Sequence, residues 1–207
     1  MTATGERPST GFFGKLPSRG DFLRAGLPRS FVQPWDNWWQ TAIAGSRATL
    51  GDAWLDAWME APIWRFCLPA GQCGPDAVLG VWIPSVDRAG RHFPLTMALV
   101  ANPETTLQSH AGWLTGVEAA GLAALEHDLE PDALAAEITA ALDLPPEALL
   151  PDLTPITRGH AIWWTEGAPR VPATTLILPD LPGVPDFAAM LHAHADAPRD
   201  PVMPAIP

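Results

Sequence analysis

The chain has one lysine, no tyrosine and more acidic than basic side chains, and this imbalance of charge limits the kinds of partner that it can bind. Among 207 residues, 12 are Lys or Arg and 23 are Asp or Glu, so the formal net charge is -11 and the isoelectric point is about 4.8. A nucleic-acid-binding protein usually carries a basic stripe, and an anionic membrane attracts positive charge. The composition therefore argues against both as partners and favours solubility or a basic partner.

Cysteine and long hydrophobic runs are also scarce. Cys67 and Cys73 are the only two cysteines, and their spacing fits neither a disulfide framework nor a zinc site. No run approaches the roughly 20 apolar residues of a membrane-spanning helix. The N-terminal MTATGERPST lacks the apolar core of a signal peptide. We therefore expect a cytoplasmic protein with reduced thiols and no membrane insertion.

Tryptophan and proline are abundant, at ten and 24 residues, and 47% of the chain is hydrophobic. That fraction is ample for a core, while the prolines predict short elements joined by many turns. Periodicity predicts strands at 63–68, 77–83, 93–100, 160–165 and 174–178, with another around Phe12 and Phe13. Helices are predicted before, between and after these strands. We expect an α/β (α+β) fold, a three-layer αβα sandwich with a mostly antiparallel central sheet.

The domain organisation follows from the same pattern. Residues 1–10 are predicted to be a flexible leader, 11–196 a single domain, and 197–207 a proline-rich tail. Ser30, followed by Gln33, has the capping-box spacing that starts a helix. A second helix is predicted near Asp52. Its inward side chains should be Trp54, Leu55, Trp58 and Met59.

One predicted hairpin loop has an unusual concentration of charge. Asp87, Arg88, Arg91 and His92 lie within six positions of the turn between strands 77–83 and 93–100. A loop that only reverses the chain needs Gly, Asn or Asp, whereas guanidinium groups suit the carboxylates and carbonyls of a partner or of the protein itself. The charges therefore indicate either a docking site or an internal brace.

A second concentration of charge lies near the N-terminus, on an irregular path that follows the first strand. It contains Lys15, Arg19, Asp21 and Arg24. If the two strands are neighbours, both clusters share one edge of the domain as a polar patch rimmed by Trp38, Trp82 and Phe93. The candidate partner-binding residues are Lys15, Arg19, Asp21, Arg24, Trp38, Ser85, Asp87, Arg88 and Arg91.

Catalytic and cofactor motifs are weak. GKLPSRGD lacks the spacing of a phosphate loop, and Ser85 has no nucleophile-elbow motif around it. His192, His194 and Asp196 fall on a predicted helix, where residues two apart diverge. We therefore predict no catalytic residues, no metal and no cofactor. The alternative is a small hydrolase that uses Ser85 as nucleophile, Asp87 as orienting group and His92 as base.

Several segments together carry a family resemblance. GFFGKLPSRGDFLRAGLP, PWDNWW, LGDAW, APIWRF and GVWIPSVDRAGRHFPLT follow one another over residues 11–100, and an IWW strand comes later. In this order they resemble the TagF (ImpM) family of type VI secretion accessory proteins. Beyond residue 100 the likeness is thin, and Ala161 stands where relatives often have Ser.

The resemblance implies an αβα sandwich and a cytoplasmic, non-enzymatic protein. It also implies a post-translational negative regulator that binds a forkhead-associated scaffold protein of the secretion system. A structural or assembly subunit of the apparatus is the alternative function. A second copy of the chain, in a weak homo-oligomer, is a further candidate partner.

Overall fold

Seven short strands form one open antiparallel sheet in the computed structural model, which describes residues 7–127, 129–146 and 150–193. The strands are β1 (Ser9–Gly14), β2 (Leu23–Ala25), β3 (Trp64–Leu68), β4 (Val78–Ile83), β5 (Leu95–Val100), β6 (Ala161–Thr165) and β7 (Thr174–Leu178). Their order across the sheet is β2-β1-β5-β4-β3-β6-β7, and every neighbouring pair is antiparallel. The predicted antiparallel pairing of the central sheet is thus confirmed.

Six helices accompany the sheet within the described residues. They are α1 (Arg29–Leu50), α2 (Trp54–Met59), α3 (Ala111–His127), α4 (Pro131–Ala140), α5 (Thr154–Thr157) and α6 (Val184–Leu191). One face of the sheet packs against α1, α2 and α6, and the other against α3 and α4. The three-layer αβα sandwich is therefore confirmed.

The two faces are built from different side chains. Alternation along β4 sends Trp82 and Val78 to one face and Leu79 and Val81 to the other. The face under α1 is aromatic, and Trp35 at its centre donates a hydrogen bond from Nε1 to Thr96 Oγ1 at 3.1 Å. The opposite face is mostly aliphatic, with Phe12 and Trp113 as its buried aromatic residues. The tryptophans therefore serve mainly as core.

Three sequence-based expectations about local structure need correction. Helix α1 begins after Pro28, which has extended backbone, so Ser30 lies inside the helix and makes no capping hydrogen bond. Leu55 and Met59 are 50% and 59% exposed, because the side of the short α2 that faces the core carries Trp54, Ala57 and Trp58. Strand β1 begins at Ser9, within the stretch expected to be a leader. The expected tail 197–207, like His194 and Asp196, lies outside the described residues.

Candidate functional site

The two charged segments meet at one end of the sheet. Strand β1 pairs with β5 so that Gly14, its last residue, lies opposite Leu95, the first residue of β5. Residues 15–24 and residues 85–92 consequently leave the sheet side by side, and we call the surface that they form the rim. Gly14 has φ 147°, and a Cβ there would lie 2.0 Å from the Pro94 carbonyl oxygen. Glycine therefore permits the close approach of the two segments.

Hydrogen bonds join the two segments directly. Ser85 Oγ donates to the Lys15 carbonyl oxygen at 2.8 Å, and the Arg88 backbone N–H donates to the Arg19 carbonyl oxygen at 3.1 Å. The Arg91 guanidinium donates to the Gly20 carbonyl oxygen. The two charged clusters therefore share one edge of the domain, as expected if their strands are neighbours.

Asp87 is the centre of the rim, and it is buried. Its side chain is 0% exposed and forms an ion pair with Lys15, which is 3% exposed. The same carboxylate accepts hydrogen bonds from the backbone N–H groups of Ala89 and Arg91, both at 2.9 Å, and from Arg91 Nε at 2.7 Å. Burial opposes ionisation, but the hydrogen bonds from Lys15 and Arg91 outweigh it and hold the pKa of Asp87 well below its usual value.

This arrangement divides the predicted site residues into two groups. Lys15, Ser85 and Asp87 are buried, with their polar atoms bonded inside the protein, so they brace the rim. Asp21, Arg24 and Arg88 are exposed, and their side chains make no hydrogen bond or ion pair with any described residue. Of these two groups, the second is the one that can contact a partner.

Arg19 and Arg91 lie between these two groups. The Arg19 guanidinium forms an ion pair with Glu130 at 2.6 Å, and its side chain is 37% exposed. Arg91 is tied to Asp87 and Gly20, yet its side chain is 61% exposed. Both can contact a partner while they also hold the rim together.

The predicted aromatic border of the patch is wrong. Trp82 and Phe93 are buried at 0% and 4% exposure. Trp38 packs against Trp163 and Phe187 and donates from Nε1 to the Pro182 carbonyl oxygen at 2.9 Å, on the side of α6. These rings belong to the core or to the α1–α6 contact, so they do not border the rim.

Phe22 is the aromatic residue that the sequence reasoning missed. It is 49% exposed, stacks on Phe13 at 5.6 Å between ring centroids and meets the edge of Phe93 at 4.7 Å. Lys15 Nζ lies 4.6 Å from the centroid of its ring. An apolar residue in the middle of the charged run SRGDFLR was the available signal.

Arg47 extends the positive charge along the other side of the hairpin loop. It is exposed at the end of α1, lies 4.2 Å above the Trp54 ring and is 3.4 Å from His92 Nδ1. Burial, reinforced by the Arg47 charge, lowers the pKa of His92, while Asp87 opposes the shift. His92 is therefore neutral at physiological pH, and Arg47 carries the charge there.

The alternative catalytic triad is not assembled. The Ser85 hydroxyl donates to a backbone carbonyl, and His92 contacts Arg47 and the rings of Trp54 and Trp58. No hydrogen bond joins Ser85, Asp87 and His92 to one another. A nucleophile needs its base within hydrogen-bond reach, so these residues give no support to a hydrolase.

Metal sites and membrane spans were searched among the described residues. No group of three or more His, Cys, Asp or Glu side chains there could hold a metal ion, and no helix is long and apolar enough to cross a bilayer. Cys67 and Cys73 are both buried and unpaired. Burial raises the pKa of each thiol to about 12, so both stay protonated.

Comparison with known proteins identifies the family. A model of the TagF N-terminal domain, described as type VI secretion system-associated, matches residues 11–141. The chain belongs to the TagF family. It is thus an accessory protein of a type VI secretion system, and the resemblance noted in the sequence is confirmed.

A solved structure extends this likeness over the whole fold. The crystal structure of PA0076 from Pseudomonas aeruginosa PAO1 is 36% identical, with a TM-score of 0.77, over 96% of this chain and 100% of that one. No curated protein matched the chain. Because 96% of this chain is covered, the similarity of fold extends beyond residue 141.

Proposed function

We propose that this protein is a non-enzymatic negative regulator of a type VI secretion system, acting in the cytoplasm by binding a forkhead-associated scaffold protein through the rim. Family membership supplies the system, and the exposed arginines of the rim supply a surface suited to a protein partner. The observation that carries the proposal concerns the two charged segments. Buried hydrogen bonds and an ion pair hold them together, while exposed charged side chains on the same segments have no partner among the described residues.

Internal bracing supports a binding role because it reduces the entropy lost on association. Loops that are already held in one conformation lose less freedom when a partner binds. The Lys15–Asp87 pair and the backbone bonds to Asp87 hold the hairpin loop from within. Gly90, with φ 79°, lets the loop turn around that carboxylate. The rim is therefore a preorganised surface.

The catalytic alternative is weaker because the rim lacks an activated nucleophile. Ser85 is 6% exposed and has its hydroxyl bonded to the backbone, so a substrate could not reach it without movement of residues 15–24. The second candidate function, a structural subunit of the apparatus, predicts a different phenotype. Deletion of the gene separates the two.

The test combines a deletion with a rim variant. Deletion should raise secretion by the system if the protein is a repressor, and should stop it if the protein is a structural subunit. The Arg24→Glu/Arg88→Glu variant should behave like the deletion while accumulating normally, because neither side chain has a partner among the described residues. An Arg158→Glu variant is the matched control, since Arg158 lies before β6 at the other end of the sheet. Unchanged secretion after deletion would refute the proposal.

Binding to the scaffold is measured separately. Purified protein and the forkhead-associated scaffold of the same system should form a complex in isothermal titration calorimetry, and the double variant should weaken it at least tenfold. A double reversal of Arg88 and Arg91 would be less suitable, because Arg91 also braces Asp87 and its loss would mix folding with binding.

A further inference from the structure

We infer that the rim recognises an acidic segment of its protein partner and that Phe22 receives an apolar side chain from that segment. This inference rests on the proposed function for the place of the partner, but it concerns the chemistry of recognition. It also reverses the expectation of a basic partner that the overall composition gave.

The local charge of the rim is opposite to that of the chain as a whole. Five arginines lie on or beside it, and Asp21 and Glu130 are the carboxylates among them that reach solvent. The arginines are Arg19, Arg24, Arg47, Arg88 and Arg91. Because the formal net charge of the chain is -11, a general attraction for anions is absent, and a local cluster of arginines such as the rim is needed to attract an acidic group.

Carboxylates spread along a peptide fit the rim better than a single phosphate does. The backbone N–H groups of Ala89 and Arg91, which would form an anion-binding nest, are already bonded to the Asp87 carboxylate. The free guanidinium groups stand on separate segments, Arg88 on the hairpin loop and Arg24 on β2. Guanidinium groups on separate segments can each bind a different carboxylate along a peptide.

Phe22 supplies the apolar part of the surface. Its ring is half exposed at 49%, and its inner side is fixed by Phe13 and Phe93. An exposed aromatic side chain that is held rigid, on a segment that also carries Arg19 and Arg24, has the composition of an interface hot spot. Arg24 lies in register with Phe13 across the β1–β2 pair, so it projects from the same face of the sheet. The Phe22 ring, which stacks on Phe13, and the Arg24 side chain therefore lie on the same side of the sheet.

A membrane or a nucleic acid would also contact arginines and an exposed ring. Either surface, however, extends well beyond the rim and would bring the acidic remainder of the chain against phosphate groups. A short acidic peptide segment avoids that repulsion. We therefore commit to a protein segment and make lipid an outcome of the test.

The experiment measures fluorescence anisotropy with the full chain and defined probes. The probes are a labelled glutamate-rich peptide with one central leucine, the same peptide with serine in place of leucine, and one with glutamine in place of glutamate. We expect the leucine peptide to bind most tightly, the serine peptide more weakly and the glutamine peptide not at all, with binding that weakens as sodium chloride rises from about 50 mM to about 300 mM because the salt screens exposed charge. Vesicles of phosphatidylcholine with phosphatidylserine should not bind, and binding to them in preference to the peptide would overturn the inference.

Variants locate the binding surface. Phe22→Ala should weaken binding of the leucine peptide about tenfold and leave the serine peptide unchanged. Arg24→Glu/Arg88→Glu should weaken binding of the leucine peptide by at least tenfold, and Arg158→Glu should have no effect. Equal affinity of all variants would place the contact elsewhere and overturn the inference.

Scaffold binding distinguishes this inference from the function on which it rests. If the scaffold binds equally well to wild type, Phe22→Ala and Arg24→Glu/Arg88→Glu, the acidic-segment inference fails and scaffold binding stands. If the acidic peptide binds in a rim-dependent way while the scaffold does not bind, the inference stands and the proposed partner is wrong. Competition between peptide and scaffold for the same surface supports both.

Discussion

The rim has an inner half of buried side chains and an outer half of exposed ones. Both halves contain basic and acidic residues, but the inner charges stabilise the fold while the outer charges are available for binding. Inside, Lys15 and Asp87 neutralise each other out of contact with solvent. Outside, Arg88 and Asp21 face solvent without a partner among the described residues. Removing a partner from a buried ion pair is costly, whereas an exposed charge contributes little to stability. Burial, and not residue type, therefore decides which charges stabilise the fold and which can bind a partner.

The largest expected effect comes from breaking the inner half. Lys15→Met removes the buried cation and leaves Asp87 with Arg91 as its remaining charged partner. We expect the midpoint of thermal unfolding to fall by roughly 10 °C. Differential scanning calorimetry measures it, with Arg158→Met as the control that should shift the midpoint by about 1 °C at most. Equal midpoints for the two variants would mean that the inner pair does not brace the rim.

Acid should break the inner half in wild-type protein too. The pKa of Asp87 is lowered in the folded state from a value of 3.8, so its contribution to stability is complete above that value and is lost as pH falls towards the folded-state pKa. The free energy of unfolding should therefore decrease as pH falls below about 4. Urea titrations at several acidic pH values measure the slope.

A matched pair of variants assigns that slope to one carboxylate. Asp87→Asn should flatten it, while Asp21→Asn should leave it unchanged because Asp21 is exposed. If Asp87→Asn is too unstable to measure, the wild-type slope can be compared with that of Ser85→Ala, which keeps the carboxylate and should keep the slope. A wild-type slope that is absent below pH 4 contradicts the assignment.

Local sequence pattern predicted the elements better than it predicted exposure. The strand at Thr174–Leu178 was predicted with its observed bounds, because a short apolar run between prolines leaves little freedom. Helix α1 was expected to start with a Ser30 cap, but Pro28 already supplies the extended backbone from which a helix begins. The exposure of Leu55 and Met59 depends on the short length of α2, which periodicity alone does not reveal.

The site was predictable only in part, because it depends on a contact between distant segments. The sequence places Lys15 and Asp87 72 residues apart, and their meeting requires β1 to lie beside β5. Nothing in a single sequence fixes that pairing. Nor does it tell which of Arg88 and Arg91 turns inward, since both lie in the same loop and differ only in reach to Asp87.

Arg91 allows a sharper comparison of the two halves within one loop. Arg91→Ala loses the 2.7 Å bond to Asp87 and the bond to the Gly20 carbonyl oxygen, and we expect about 1 kcal/mol of destabilisation because the side chain is largely exposed. Arg88→Ala should cost less than about 0.5 kcal/mol. Chemical denaturation measures both, and a larger effect for Arg88 would reverse the assignment of inner and outer residues.

The smallest effect on stability should belong to the variant with the largest effect on binding. Arg24→Glu/Arg88→Glu changes two exposed side chains, so its free energy of unfolding should stay within about 0.5 kcal/mol of wild type. Its affinity for the scaffold should nevertheless fall at least tenfold, because two positive charges become negative on the surface that we propose for the contact. Calorimetric titration and urea unfolding on the same preparations measure the two quantities. Loss of stability together with binding would show that Arg24 and Arg88 brace the rim, and the separation of inner from outer charges would then fail.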